Sequence, residues 1–146
     1  MIALDTNILI HARRSEMPHH RRAKALLRGL AEGSRPWALP WPCLYEFLRV
    51  VTHARVFEPP TELEAALADI ESLLASPSLV MLGEGPAHPA HMARALRQGD
   101  AVGNLAHDAH IAALLIEHGV EELLTLDRDF ARFPDLQSRD PFAEPG

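Results

Sequence analysis

Along this chain, short apolar runs alternate with longer segments in which apolar residues recur every three to four positions. Ile2-Ala3-Leu4, Trp37-Ala38-Leu39, Leu79-Val80-Met81-Leu82 and Leu123-Leu124-Thr125-Leu126 are of the first kind. Polar, Pro or Gly residues flank each run, which predicts short buried strands. Leu136-Gln137-Ser138 predicts a fifth, at an edge. Between them, Ile8–Ala12, His19–Glu32, Pro42–His53, Thr61–Ala75, Pro89–Arg97 and Asn104–His118 predict helices. Pro18 and Pro42 suit a first helical turn, where the N–H has no intrahelical partner. Gly33 and Gly119 stop the helices before them, and Thr61 with Glu64 reads as a capping box. Leu44, Phe47, Leu48 and Val51 make the core stripe of one helix; Leu63, Leu67, Ile70 and Leu74 make that of the next. Strands alternating with helices imply an α/β fold of three layers, α/β/α, with a mainly parallel central sheet covered on both faces. With no internal repeat and no linker, residues 1–146 are expected to form one domain.

Four acids interrupt this pattern where a carboxylate is either useful or costly. Asp5 stands at the C-terminal tip of the first strand, where α/β folds place ligands. It is equally a good helix cap, as are Thr6 and Asn7. Asp127 repeats the arrangement after the fourth strand, with Asp129 two residues on and Thr125 placed to hold a carboxylate by hydrogen bond. Asp108 falls inside the apolar arc of Leu105, Ile111, Ala112 and Leu115. A lone carboxylate on a core-facing stripe either shifts its pKa or finds a cation; a structural salt bridge or a helix-dipole contact is the plainer account. Glu46 lies opposite its helix's core stripe, yet beside apolar Cys43 and Val50. Adjacent strand tips of a parallel sheet share one edge, so Asp5 and Asp127 can meet there. An all-oxygen cluster suits Mg²⁺ or Mn²⁺, ions that stabilise phosphoryl charge and generate a hydroxide nucleophile.

Composition narrows the setting. The one cysteine, Cys43, excludes an internal disulfide and suits a reducing cytoplasm, and it reads as a small core residue. The N-terminus has no basic n-region before an apolar run, so no signal peptide is expected. No stretch approaches the ~20 apolar residues of a membrane span. The net charge of −6 conceals an asymmetry: residues 1–55 carry nine Lys/Arg against four Asp/Glu, and residues 56–146 carry five against sixteen. Arg13, Arg14, Arg21, Arg22 and Lys24 therefore form either a basic lip or a solvated helix face. The nine histidines, including the i, i+3 pairs His88/His91 and His107/His110, come without HExxH and with one cysteine. They read as surface or core side chains rather than as a zinc site. No GxGxxG or GxxxxGK[ST] loop is present. Val50, Val51, Val56 and Phe57 exceed what one sheet face needs, which suggests a homodimer.

Taken in order and spacing over nearly the whole chain, Ile-Ala-Leu-Asp5-Thr6-Asn7, helical Glu46, His107-Asp108-Ala109 and Thr125-Leu-Asp127-Arg-Asp129-Phe130 resemble the PIN-domain family. Within it, the single compact domain resembles the VapC-type toxins of bacterial toxin–antitoxin pairs. The resemblance implies a PIN-like fold and a Mg²⁺- or Mn²⁺-dependent endoribonuclease, inhibited by a cognate antitoxin and usually dimeric. Carried over by motif, Asp5, Glu46, Asp108 and Asp127 are the acidic quartet; a strand-tip acid and an acid on an apolar helix stripe lead to the expectation of metal between Asp5 and Asp108, with Glu46 and Asp127 close by. Asn7 and Thr125 are polar supports. Asp129 lies in the closing Asp-Phe pair, which leaves open whether it or Asp127 faces the metal. The basic lip would then meet RNA or an antitoxin tail. Two other readings stand beside this one: a PIN-like module that binds RNA or a partner without cutting, and a metal-dependent phosphatase on a doubly wound sheet.

Overall fold

The computed structural model describes residues 1–144, so the last two residues of the expected domain lie outside the described part. In chain order the elements are β1 (Ile2–Leu4), α1 (Thr6–Arg13), α2 (His20–Glu32), β2 (Trp37–Pro40), α3 (Trp41–Val51), α4 (Leu63–Leu74), β3 (Leu79–Leu82), α5 (His88–Gln98), α6 (Leu105–Glu117), β4 (Glu122–Leu124) and β5 (Gln137–Arg139). A 3-10 turn, Arg128–Arg132, precedes β5. The five strands pair in the order β3-β2-β1-β4-β5, every pair parallel.

Side chains alternate across a strand, and here both faces are buried. Leu4, Trp37, Leu39 and Leu124 pack with Ile8, Leu9, Ala23, Leu44, Phe47 and Ala66 from α1 to α4. Ala3, Ala38 and Leu123 face the other way, against Ala95 of α5 and Ile111, Ala112 and Leu115 of α6. The result is the three-layer α/β/α arrangement. Trp37 is fully buried, and its Nε1 donates to Ser78 Oγ at 3.1 Å, whose hydroxyl in turn donates to the Leu30 carbonyl at 3.0 Å. After β3 the chain crosses to β4 on the far side of β1, so strand order reverses between β1 and β4. Outside the C-terminal ends of such a pair lies the crevice where open α/β sheets bind ligands.

Several boundaries differ from the sequence reading, each for a local reason. Helix α1 begins at Thr6 rather than Ile8, because Asp5 caps it directly. Strand β4 stops at Leu124, because the Leu126 N–H leaves the sheet and donates to Asn7 Oδ1 at 3.2 Å. The capping box at Thr61 does not form: α4 starts at Leu63 after an N-cap, Glu62, with no side-chain bond, while the Thr61 hydroxyl accepts from Arg14 Nη1. The expected core stripe of α4 faces largely outward, with Leu63, Leu67 and Leu74 exposed and Ala66 buried instead. Val51 and Phe57 sit in the core, so they do not supply the surplus surface expected of them. Among the described residues no helix is long and apolar enough to cross a membrane.

Candidate metal centre at the switch point

The crevice between the tips of β1 and β4 gathers the acids. Asp5 is 5 % exposed and caps α1, and its carboxylate lies in the crevice with the other acids, so capping does not exclude it as a candidate site residue. Its Oδ1 accepts from the Thr6 N–H at 2.7 Å, and Cys43 Sγ donates to the same oxygen at 3.8 Å. Oδ2 accepts from Thr125 Oγ1 at 2.7 Å and from Asn7 Nδ2 at 3.2 Å. The Thr125 hydroxyl is a hub, since it also accepts from Asn7 Nδ2 at 3.2 Å and from the Asp127 N–H at 3.0 Å. Through these bonds the turns after β1 and β4 are tied together, and the Asp5 carboxylate is held in one orientation. Burial raises its pKa, the Thr125 and Thr6 hydrogen bonds oppose that, and the charges of Glu46 and Asp127 add to it.

Asp108 lies in the first turn of α6, partly exposed. Burial first, then the charges of Asp127, Asp5, Asp129 and Glu46, push its carboxyl up to about 6. Five carboxylates from four separate stretches of chain thus share one field. Oxygens of Asp108, Asp127 and Asp129 come within 4.8 Å of one another. Both members of the Asp127/Asp129 pair therefore stand beside Asp108. Asp127 also accepts from the Asp129 N–H at 2.8 Å and caps the 3-10 turn, so its capping role too coexists with its place in the cluster. On the opposite wall Glu46 Oε2 accepts from Thr6 Oγ1 at 3.3 Å, and its Oε1 lies 3.7 Å from the Arg49 guanidinium. A hollow of about 280 Å³ opens next to it, lined by Pro42, Tyr45, Glu46, Arg49, His107, His110 and Ile111.

Two contributors went unread in the sequence. Thr6 bridges Asp5 and Glu46, and the Cys43 thiol, kept protonated by burial, points at Asp5. The only signal for Cys43 was its i−3 position to Glu46 on one helix. The basic arm is not brought to the acids as a unit. Arg13 and Arg14 close the far end of α1, about 12 Å along its axis from Asp5. Arg13 pairs with Asp69 at 2.6 Å; Arg14 pairs with Glu16 at 2.8 Å and lies over the Phe57 ring. Arg22 donates to the Phe142 carbonyl at 3.0 Å, Lys24 lines a groove beside α4, and Arg21 is exposed.

Clustered carboxylates repel one another unless a cation or protons intervene. The donor set is all oxygen, partly open to solvent, and fits a hard divalent ion that keeps several waters. Fold and site thus define an α/β protein with a candidate oxygen-ligand divalent-metal centre at its switch point. The chain belongs to the PIN-domain family, whose model matches residues 2–136. It is 38 % identical over 141 residues to VapC ribonuclease Mb2897 of Mycobacterium bovis, covering 97 % of this chain and 95 % of that one. It is 34 % identical over 139 residues to ribonuclease VapC48 of Mycobacterium tuberculosis, covering 95 % and 96 %. In structure it is similar to VapBC2 from Rickettsia felis, solved bound to a DNA fragment from their promoter. That match has a TM-score of 0.68 at 22 % identity over 95 % of this chain and 98 % of the other, a likeness of fold.

Proposed function

We propose that this protein is the endoribonuclease toxin of a toxin–antitoxin pair and hydrolyses RNA phosphodiester bonds with a divalent metal, Mg²⁺ or Mn²⁺, in the cytoplasm. The observation that carries this reading is the convergence of Asp5, Glu46, Asp108, Asp127 and Asp129 on one crevice. Asp108, Asp127 and Asp129 would hold the cation, with Asp5 behind or beside them. Bound there, it supplies charge stabilisation at a phosphoryl oxygen and a nucleophile at neutral pH. Thr125 and Asn7 fix the Asp5 carboxylate, so the centre is organised before substrate arrives. Arg49 and His107 line the mouth of the hollow beside Glu46 and offer donors to a phosphodiester there. Incubation of the protein with RNA tests the reading. Cleavage is expected only with Mg²⁺ or Mn²⁺, abolished by EDTA, and tolerant of a 2′-deoxy nucleotide at the cut. Ends carrying 2′,3′-cyclic phosphate, formed without metal, contradict it. Binding without cutting favours the non-catalytic module, and release of inorganic phosphate alone favours the phosphatase.

The net-acidic chain needs local positive charge to hold RNA. Arg21 and Arg22 are the members of the basic arm proposed for that contact. Neutralising both is expected to lower the salt slope of RNA binding by roughly 1.4, at about 0.7 per lost phosphate contact. An unchanged slope makes that helix face merely solvated. The antitoxin is proposed for the groove of about 330 Å³ between α1, α2 and α4, whose apolar floor of Leu9, Leu27, Phe47 and Leu73 is flanked by Arg13, Lys24 and Arg28. Replacing Leu27 and Leu73 with Asp should abolish capture of the antitoxin, and retained capture places the antitoxin elsewhere. The outward row Leu63, Leu67 and Leu74 on α4 is proposed for a second copy of the chain. Sedimentation as a monomer at tens of micromolar, where ordinary interfaces are largely formed, contradicts that dimer.

A further inference from the structure

His88 and His110, 22 positions apart in sequence, do not behave as isolated surface histidines. Their rings meet edge to face with centroids 5.5 Å apart. One nitrogen of each lies, with a Glu84 carboxylate oxygen, within 4.8 Å of the others. We propose that Glu84, His88 and His110 form a second metal site, for Zn²⁺ or a similar imidazole-binding divalent ion, distinct from the acid cluster. The inference does not rest on the nuclease reading.

The donor set separates the two sites chemically. Two imidazoles and one carboxylate suit zinc, with water in the fourth place, whereas the all-oxygen cluster at the switch point suits Mg²⁺ or Mn²⁺. A second observation points to a ligand. His88 Nδ1 is buried and has no hydrogen-bond partner among the described residues, a costly state for a polar atom. Coordination removes it: an ion takes Nδ1 itself, or takes Nε2 and leaves Nδ1–H to close on Glu117 Oε1, 4.0 Å away. A carboxylate behind a ligating histidine is a common support of zinc sites.

The support is built before any ion arrives. Glu117 accepts from the Gly85 N–H at Oε1 and from the Ala87 N–H at Oε2, each at 3.0 Å. A Cβ on Gly85 would collide with that carboxylate, so glycine is what lets the loop lie on it. His118 Nε2 donates to the Gly83 carbonyl at 2.8 Å. The loop of residues 83–87 is thus pinned to α6, which brings Glu84 Oε1 to 2.6 Å from His110 Nε2. Ligand atoms in a tetrahedral zinc site stand about 3.3 Å apart, so a small opening of that contact admits the ion. Bound there, it clasps the start of α5 to α6, the helix that carries Asp108.

Zinc binding by the Asp108→Asn protein in excess Mg²⁺, followed by equilibrium dialysis, tests the site, with Co²⁺ as a visible-absorption stand-in for tetrahedral zinc. One Zn²⁺ per chain and a tetrahedral Co²⁺ spectrum are expected. His110→Ala and Glu84→Ala alter partly exposed side chains and should each weaken binding by about 100-fold or more, with circular dichroism unchanged. Glu117→Gln should weaken it by about 10–100-fold, the usual loss when the support of a ligand is removed. Absence of zinc binding, or affinity unchanged in both His110→Ala and Glu84→Ala, overturns the proposal.

Discussion

Asp108→Asn is expected to lower RNA cleavage by on the order of 1,000-fold while making the metal-free protein more stable near neutral pH. The activity loss follows from removing a charged oxygen from the cation's cluster. Metal ions contribute several kcal/mol of charge stabilisation at a phosphoryl group, and about 1.4 kcal/mol is tenfold in rate. The stability gain follows from the raised pKa. Between 3.8 and about 6 the folded protein holds a proton on Asp108 that the unfolded chain releases. Stability of the metal-free protein therefore falls as pH rises through that window, and the penalty is present in full above it. Solvent reaches the side chain, which limits the effect to on the order of 1 kcal/mol. For a domain of this size that is roughly 3 °C in Tm. Calorimetry in EDTA should show the variant's advantage near neutral pH and its disappearance below about pH 4. A variant that is less stable at neutral pH contradicts the shared field of the five acids.

Trp37→Ala is expected to destabilise the fold by about 3–5 kcal/mol, the range for deleting a large buried aromatic. A domain of this kind has about 5–15 kcal/mol in all, so the loss approaches the whole in the worst case. Trp37 is fully buried on β2, and removing it also strips Ser78 of the indole donor while leaving a cavity against the α1–α4 layer. Urea unfolding measures it. A shift under about 1 kcal/mol means that this layer collapses onto the gap, as only a loosely packed core can.

The central strands β1, β2 and β4 were legible because each is a mostly buried run closed by turn residues, and the two-faced core follows from Ala3/Leu4 and Ala38/Leu39 pointing to opposite sides. What was not legible depends on partners far away in sequence. The end of β4 is set by Asn7, 119 positions from Leu126. A stripe of leucines on α4 announces an apolar face but not what covers it, and here small Ala66 packs inward while the leucines face out. Asp5 was ambiguous between cap and catalyst because its Oδ1 caps α1 while its Oδ2 is held by Thr125 and Asn7 at the crevice. The basic run looked like one lip, yet Asp69 and Glu16 neutralise Arg13 and Arg14 locally. His88 and His110 lacked any spacing signature, since α5 and α6 bring them together only in the folded chain.

A divalent cation is expected to sit on the acids at the switch point. Anomalous scattering from a crystal of the wild-type protein soaked in Mn²⁺ tests it most directly. A peak is expected at the carboxylates of Asp108, Asp127 and Asp129, with Asp5 behind or beside them. A crystal that binds Mn²⁺ only elsewhere, with these carboxylates bare, contradicts it.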